Sequence, residues 1–337
     1  MIYINYKYNE RDNLMVKTLG INISHNVSFA YFEDNILKEY YEEDRFNKIK
    51  HFVPYDPILN YPYEYQGLKK FKNITFDKIV FVSYDRGDIL VEKAFIEPFL
   101  KQIKFKDLKF YFREHHIFHA LSGFYFSNFD EALGLVCDGG GEMIVDKELK
   151  IDSVPKFQVM ESIYYINKNE IKPLYKHHSC ARHDHWNNFY KIPSETNFKR
   201  SGADIKISNK LCGGLKYLFY MDKAGFPQHA EGQLMGVAAY KNKKTDIDNN
   251  VIENACKAQE ESLIERIELV KKAKTYGKYK NIVLSGGYHL NCANNFKLVK
   301  NFPELNFFVD PISHDGGTAV GAAYASSQYE ENFVESR

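Results

Sequence analysis

Short apolar runs with polar ends alternate along this chain with stretches of helical period, and the plan occurs twice. Lys17 to Ile23 has the character of a buried strand and stops at Ser24-His25-Asn26. Ser28 to Phe32 and Ile36 to Tyr41 read as two more strands, joined by Glu33-Asp34-Asn35, whose short polar side chains suit a tight turn. A charged loop, Glu42 to His51, leads to a strand at Lys78 to Tyr84, a helix over Val91 to Gln102 and a strand at Leu108 to Arg113. A helix is then predicted over roughly residues 115–126. The second half begins the same way. Leu133 to Cys137 predicts a strand, Gly141 to Val145 its partner, Asp146-Lys147 the turn, and Ile163 to Ile166 the continuation of the meander. Helical patterns follow near 209–222, 230–240 and 251–275. Strands at Asn281 to Leu284 and Phe307 to Val309 precede a small-residue helix, Thr318 to Ser326. Two meanders, each followed by alternating helices and strands, imply an α/β fold with mixed sheets and an internal duplication. The expected division is an N-terminal extension over 1–16, a first lobe over 17–128 and a second lobe over 129–337. Met15 is an alternative translation start. A cleft between two such lobes is the expected ligand site.

Composition narrows the partners. The chain has 337 residues, with Lys+Arg 45 against Asp+Glu 44, so there is no global field to attract nucleic acid or an acidic membrane. Local basic runs such as Lys271-Lys272-Ala273-Lys274 read as solvated faces. No apolar run has the length that spans a bilayer, and Met1 to Asn13 lacks the apolar centre of a signal peptide. The five Cys are scattered, which suggests reduced thiols and the cytoplasm.

Candidate chemistry concentrates in a few places. His115 and His119 are four residues apart, which on a helix stacks both imidazoles on one face at roughly 6 Å. Two apolar strands end in Asp-Gly turns, Asp138-Gly139-Gly140-Gly141 and His314-Asp315-Gly316-Gly317. Two His and two Asp would make a divalent site suited to iron, manganese or zinc rather than copper. The plainer alternative is a core helix and two ordinary turns. Gly20 with Ser24-His25-Asn26, Asp138 to Gly141, and Ser285-Gly286-Gly287 all follow apolar strands, where glycine lets the backbone approach a phosphate and offer its N–H groups. The stretch His177-His178-Ser179-Cys180-Ala181-Arg182-His183-Asp184-His185-Trp186 reads as an exposed loop rather than a second metal site. Its Trp186 would stack on a sugar or base, or serve as a packing anchor.

Together these turns match the nucleotide-binding pattern of the actin/sugar-kinase/Hsp70 superfamily. More sharply, the chain resembles the O-carbamoyltransferases of the nodulation-protein-U and tobramycin-carbamoyltransferase type, from about Lys17 to Ala325. Five segments carry the resemblance: Gly20 to Asn26 with Ser28; Glu42 to Phe46 with Lys50-His51; His115 to Ala120; Gly232 to Tyr240; and Ser285 to Asn291 with Asp315 to Ala319. It implies a two-lobed actin/sugar-kinase/Hsp70-like fold, a duplicated ribonuclease-H-like unit with mixed sheets and a central cleft. An acceptor-side insertion would occupy about 170–230. The resemblance places a metal, iron by preference, on His115, His119, Asp138 and Asp315. Ser285, Gly286, Gly287 and Asn291 would border the adenosine, and Ser24, Asn26, Gly139 and Gly140 would lie in the phosphate turns. His25 would be the catalytic base, with Arg45 and Lys50 in a basic loop. The implied reaction moves a carbamoyl group from carbamoyl-adenylate to a hydroxyl of a small molecule, saccharide or modified nucleoside, releasing AMP.

That chemistry suits the residue types. A divalent metal and backbone N–H groups stabilise charge on a leaving phosphate, and a high-pKa hydroxyl needs a base near neutrality, which His supplies. Fuller members of the family carry a second domain that makes the adenylate from ATP and carbamoyl phosphate. This chain stops about a dozen residues beyond Ala325, so a separate adenylate-forming protein or domain is the expected partner. A nucleic-acid partner is possible in principle but not indicated by charge. Two alternatives stand beside this reading: a tRNA threonylcarbamoyl transferase-like enzyme, and a catalytically silent nucleotide-binding subunit.

Overall fold

The computed structural model describes residues 15–54, 63–83, 96–111, 115–144, 157–180, 195–208, 210–227 and 229–329. The expected extension up to Leu14, the turn Asp146-Lys147, the start of the 91–102 helix, and His183, His185 and Trp186 lie outside them.

Two sheets stand at the centre. In the first, β1 (Lys17–Asn22), β2 (Ser28–Glu33) and β3 (Ile36–Glu42) form an antiparallel meander, to which β4 (Thr75–Val82) and β5 (Lys104–Tyr111) add in parallel, in the order β3-β2-β1-β4-β5. The second sheet repeats that pattern. β6 (Glu131–Cys137), β8 (Phe157–Asn167) and β9 (Ile171–Cys180) are antiparallel neighbours, and β12 (Asn281–Ser285) and β13 (Asn306–Val309) add in parallel on the other side of β6. β10 (Thr196–Arg200) and β11 (Ala203–Ser208) extend the β9 edge. One expected pairing is corrected. Residues 143–144, β7, pair with β8 and not with β6, because β8 starts at Phe157 and takes the antiparallel place beside β6 along its whole length. The Asp138–Glu142 segment is thereby left as a loop at the end of β6.

Helices fill the space between the sheets and cover the second one. Between them lie α1 (His115–Ser127) and the last helix of the chain, α6 (Gly317–Gln328). Both are almost wholly buried. A single apolar cluster joins Phe32 and Val82 of the first sheet, Phe118 and Leu121 of α1, Val320 and Ala323 of α6, and Val136 and Ile166 of the second sheet. The approach is too close for side chains at several points. A Cβ on Gly20 would strike the Ala319 carbonyl of α6, and one on Gly321 would strike the Phe118 carbonyl of α1. The small-residue composition of α6 therefore serves contact with sheet and helix at once. Helices α2 (Gly214–Lys223), α3 (Glu231–Val237), α4 (Asn249–Lys274) and α5 (Cys292–Asn301) belong to the other face of the second sheet, over a separate core that includes Leu135, Met221, Val270 and Leu298. No helix among the described residues is long and apolar enough to cross a membrane.

Candidate functional site

The ends of β1, β6 and β12, the start of α1 and the turn before α6 converge between the sheets. His115 and His119 are fully buried on α1, with Nε2 atoms 3.1 Å apart. Asp138, next after β6, brings Oδ2 to 3.5 Å from His115 and 3.9 Å from His119. Asp315, two residues before α6, brings Oδ1 to 3.6 Å from each imidazole. The four donor atoms lie within 4.8 Å of one another. Ligands about 2.0–2.2 Å from one tetrahedral ion stand roughly 3.4 Å apart, so these spacings fit a single first-row cation. Asp315 Oδ1 accepts no hydrogen bond among the described residues although it is buried, as an oxygen reserved for a cation would be. Burial works against charge on His115, but the Asp315 and Asp138 carboxylates outweigh it and push the ring up to about 10. Burial and mutual repulsion work against the two carboxylates; the imidazoles beside them prevail and hold both below the usual range. The donor set of imidazole and carboxylate suits iron, manganese or zinc.

The third histidine of the segment does something different. His116 Nδ1 meets Ser162 Oγ at 2.9 Å, and burial drops its pKa to about 3. It is a neutral core residue.

Asp315 also links the cluster to the β1 turn. Its Oδ2 accepts from Ser24 Oγ at 2.7 Å and lies 3.2 Å from His25 Nε2. Asn22 builds that turn: its Oδ1 accepts from the Ser24 amide and lies 2.7 Å from the Ser24 hydroxyl oxygen, and its Nδ2 donates to the carbonyls of His25 and Asn26. Asn26 sits at φ 61°, a left-handed conformation that Asn tolerates. Its Oδ1 contacts His25 Nδ1 at 2.8 Å and His51 Nδ1 at 3.1 Å. The two ring nitrogens of His25 thus face an amide oxygen at Nδ1 and the Asp315 carboxylate at Nε2. His25 is partly exposed toward the cleft, and no role for Asn22 or His51 follows from the sequence alone.

The glycine turns are tied to the same cluster. Gly287 donates its N–H to Asp138 Oδ1 at 2.9 Å. Gly286 has φ 93°, and a Cβ there would strike the Cys137 carbonyl. Gly139 borders open space, whereas Gly140 faces the Gln158 amide. Ser285 Oγ donates to Asp310 at 2.8 Å, and Asn291 caps α5 while donating to Gln259 at 2.7 Å. The side chains of Ser285 and Asn291 thus hold the turn, and what it offers the cleft is backbone. Fully buried Arg266 braces it by donating to the Tyr288 carbonyl. That contact is non-local and leaves no mark in the sequence.

The basic loop stands farther out. Arg45 is 74% exposed and paired with Glu42 at 3.1 Å, while Lys50 donates to the His229 carbonyl at 2.9 Å, reaching from the first-sheet side to the segment ahead of α3. The expected exposed histidine loop needs correction in its first part. His177 and His178 are buried within β9, because the strand continues to Cys180.

Fold and site together define a two-sheet, duplicated α/β protein of the actin/sugar-kinase/Hsp70 type with a cluster of candidate metal ligands between its sheets. Full-length HypF in a phosphate- and nucleotide-bound form superposes with a TM-score of 0.51 at 12% identity, covering 95% of this chain and 56% of that one. HypF from T. kodakarensis gives 0.50 at 12% identity, covering 95% and 49%. At that identity the likeness speaks for the fold. Residues 58–324 match the family described as "Carbamoyltransferase N-terminus", and the chain belongs to that family. The uncharacterized protein sll1178 of Synechocystis sp. is 25% identical over 94% of this chain and 58% of its own length. Nodulation protein NolNO of Sinorhizobium fredii is 25% identical over 85% of this chain and 44% of its own length. The chain spans about half the length of these curated relatives.

Proposed function

We propose that the cleft transfers a carbamoyl group from carbamoyl-adenylate to a hydroxyl of a small molecule, saccharide or modified nucleoside. The observation that carries this reading is the double engagement of Asp315, with one oxygen in the metal-ligand cluster and the other on Ser24 and His25. His115, His119, Asp138 and Asp315 would hold the ion, iron by preference with zinc or manganese as alternatives, and it would supply positive charge for the departing phosphate. The remaining groups are the protein's own. The turns at Ser24–Asn26, Gly139–Gly140 and Gly286–Gly287 border the nucleotide with backbone. His25, held by Asn26 at one ring nitrogen and beside Asp315 at the other, takes the acceptor's proton, and the Asp315 carboxylate steadies the charge that forms. The bond from the acceptor oxygen to the carbamoyl carbon forms, the bond from that carbon to the phosphate oxygen breaks, and AMP leaves. Arg45 and Lys50 supply positive charge at the cleft rim. The adenylate comes from ATP and carbamoyl phosphate on a separate protein or domain.

The test is incubation with synthesised carbamoyl-adenylate and a panel of hydroxylated acceptors. AMP release above background hydrolysis, with one acceptor gaining the mass of a carbamoyl group in place of hydrogen, is the expected result. AMP release equal in the parent chain and a His25→Ala variant for every acceptor would sink the assignment.

A further inference from the structure

The second sheet carries another group of metal-ligating side chains that the cleft chemistry leaves unused. Glu161 on β8, His177 on β9 and Cys212 just ahead of α2 each offer a donor atom within 4.8 Å of the other two, and all three are buried. Glu161 pairs across the ladder with Cys137, the residue before the cleft ligand Asp138. The group therefore lies one residue along the same strand ladder from the cleft cluster.

Local structure builds the group. Glu161 and His177 are cross-strand partners, and the β8–β9 register shifts between Val159 and Glu161. A bulge of this kind re-aims side chains and recurs beside functional sites. Here it leaves His177 Nδ1 2.9 Å from Glu161 Oε2. The other ring nitrogen, Nε2, is 2.8 Å from Ser208 Oγ on β11. A metal-bound imidazole is normally steadied in this way, through its second nitrogen. Glu161, His177 and Cys212 line one wall of a cavity of about 500 Å³, with Tyr175, Lys216 and Glu265 nearby. Three protein donors beside such a space leave a coordination position for water or a ligand.

We propose that Glu161, His177 and Cys212 bind a thiophilic divalent cation of the zinc type, separately from the cleft. Thiolate with imidazole and one carboxylate favours zinc over the hard cations magnesium and calcium. Burial pushes the Cys212 thiol well above its ordinary value, so it is protonated in the free protein. On binding, Sγ gives up that proton to solvent. The His177 proton passes from Nδ1 to Nε2, and Ser208 turns from donor to acceptor. One proton is released in all.

Cobalt tells the two sites apart, because His115, His119, Asp138 and Asp315 offer no sulfur. The full chain is stripped with chelator and titrated with Co²⁺. A near-ultraviolet sulfur-to-cobalt charge-transfer band is expected. It should persist in a His115→Ala, His119→Ala variant and in a Cys256→Ser, Cys292→Ser variant. It should vanish in Cys212→Ser, with loss of about one equivalent of cobalt. Circular dichroism checks that each variant folds. Should Cys212→Ser not fold, Glu161→Gln takes its place, with a weakened or shifted band expected. Absence of any band in the parent chain, or a band indifferent to both substitutions, overturns the proposal. Glu161, His177 and Ser208 would then be a hydrogen-bond chain that pins three strands.

Discussion

The cleft cluster and the Glu161–His177–Cys212 group are built from similar residue types and differ in how their protons are placed. In the cleft, two imidazole nitrogens face each other at 3.1 Å with carboxylate oxygens around them, and Asp315 Oδ1 accepts no hydrogen bond among the described residues. In the second group the atoms are already linked, Ser208 to His177 to Glu161, at 2.8 and 2.9 Å. The first arrangement crowds four potential ligands around one point and leaves a buried carboxylate oxygen without a hydrogen-bond partner. The second is satisfied without an ion and must rearrange its hydrogens to accept one. A divalent cation should therefore bind the cleft more tightly, and the second group with a stronger dependence on pH, since binding there expels a thiol proton.

Breaking the cleft side of this comparison gives the largest expected effect. A His115→Ala, His119→Ala variant should lose about one equivalent of metal by elemental analysis and all measurable transfer, while any sulfur–cobalt band stays. Equal cleft metal in both proteins would show that the cluster is not the site. Next comes His25→Ala, expected to slow transfer by roughly 10²–10⁴-fold with nucleotide affinity little changed, the range for loss of a general base. Isothermal titration beside the rate assay separates the roles; if binding and turnover fall together, His25 is a phosphate ligand. Gly286→Ala sharpens the contrast. It forces a side chain onto the Cys137 carbonyl at a backbone conformation that costs about 1–3 kcal/mol. It should loosen the Gly287–Asp138 bond and weaken cleft metal affinity without touching the sulfur–cobalt band.

A smaller effect tests the link between the regions, the 2.6 Å bond from Lys176, which precedes His177, to Glu142. Burial opposes ionisation of Glu142, but the Lys176 ammonium outweighs it and holds the carboxyl at about 2, against an ordinary 4.5. A carboxyl depressed on folding stabilises above its unfolded value and loses that contribution as pH falls. Stability should thus drop between about pH 4.5 and 2, by on the order of 2–3 kcal/mol. Glu142→Gln should flatten that limb of the urea-midpoint profile; an unchanged limb would assign acid sensitivity elsewhere. Arg45→Ala is expected to do least, within about 0.5 kcal/mol in thermal unfolding, since its ion pairs are largely in water.

The legible parts of the site were those fixed by local spacing. An i,i+4 pair of His on a helix and Asp at two strand ends need only element boundaries to be placed, and the strand–turn–strand pattern sets those. What escaped depends on partners distant in the chain. Ser285 and Asn291 look like ligand groups in a glycine turn, yet Asp310 and Gln259 engage them. His177 reads as loop because polar residues crowd its segment, and its burial follows from strand pairing and a register shift that no run of residues announces. The fold was legible because its pattern of strands is repeated. The true neighbour of β6 was not, since β7 and β8 compete for one place and only pairing length decides.

The contact between Gly20 and Ala319 of α6 joins residues far apart in the order of synthesis. The first sheet is translated well before the helix that closes one of its faces. Until that helix emerges, Val80 and Val82 lack the partners it supplies. Closing so long a loop is slow, and the waiting sheet is open to wrong partners meanwhile. Folding in the cell should accordingly depend on chaperone holding, with yield more sensitive to bulky substitutions at Gly20 or Gly321 than the folded molecule's stability alone would suggest.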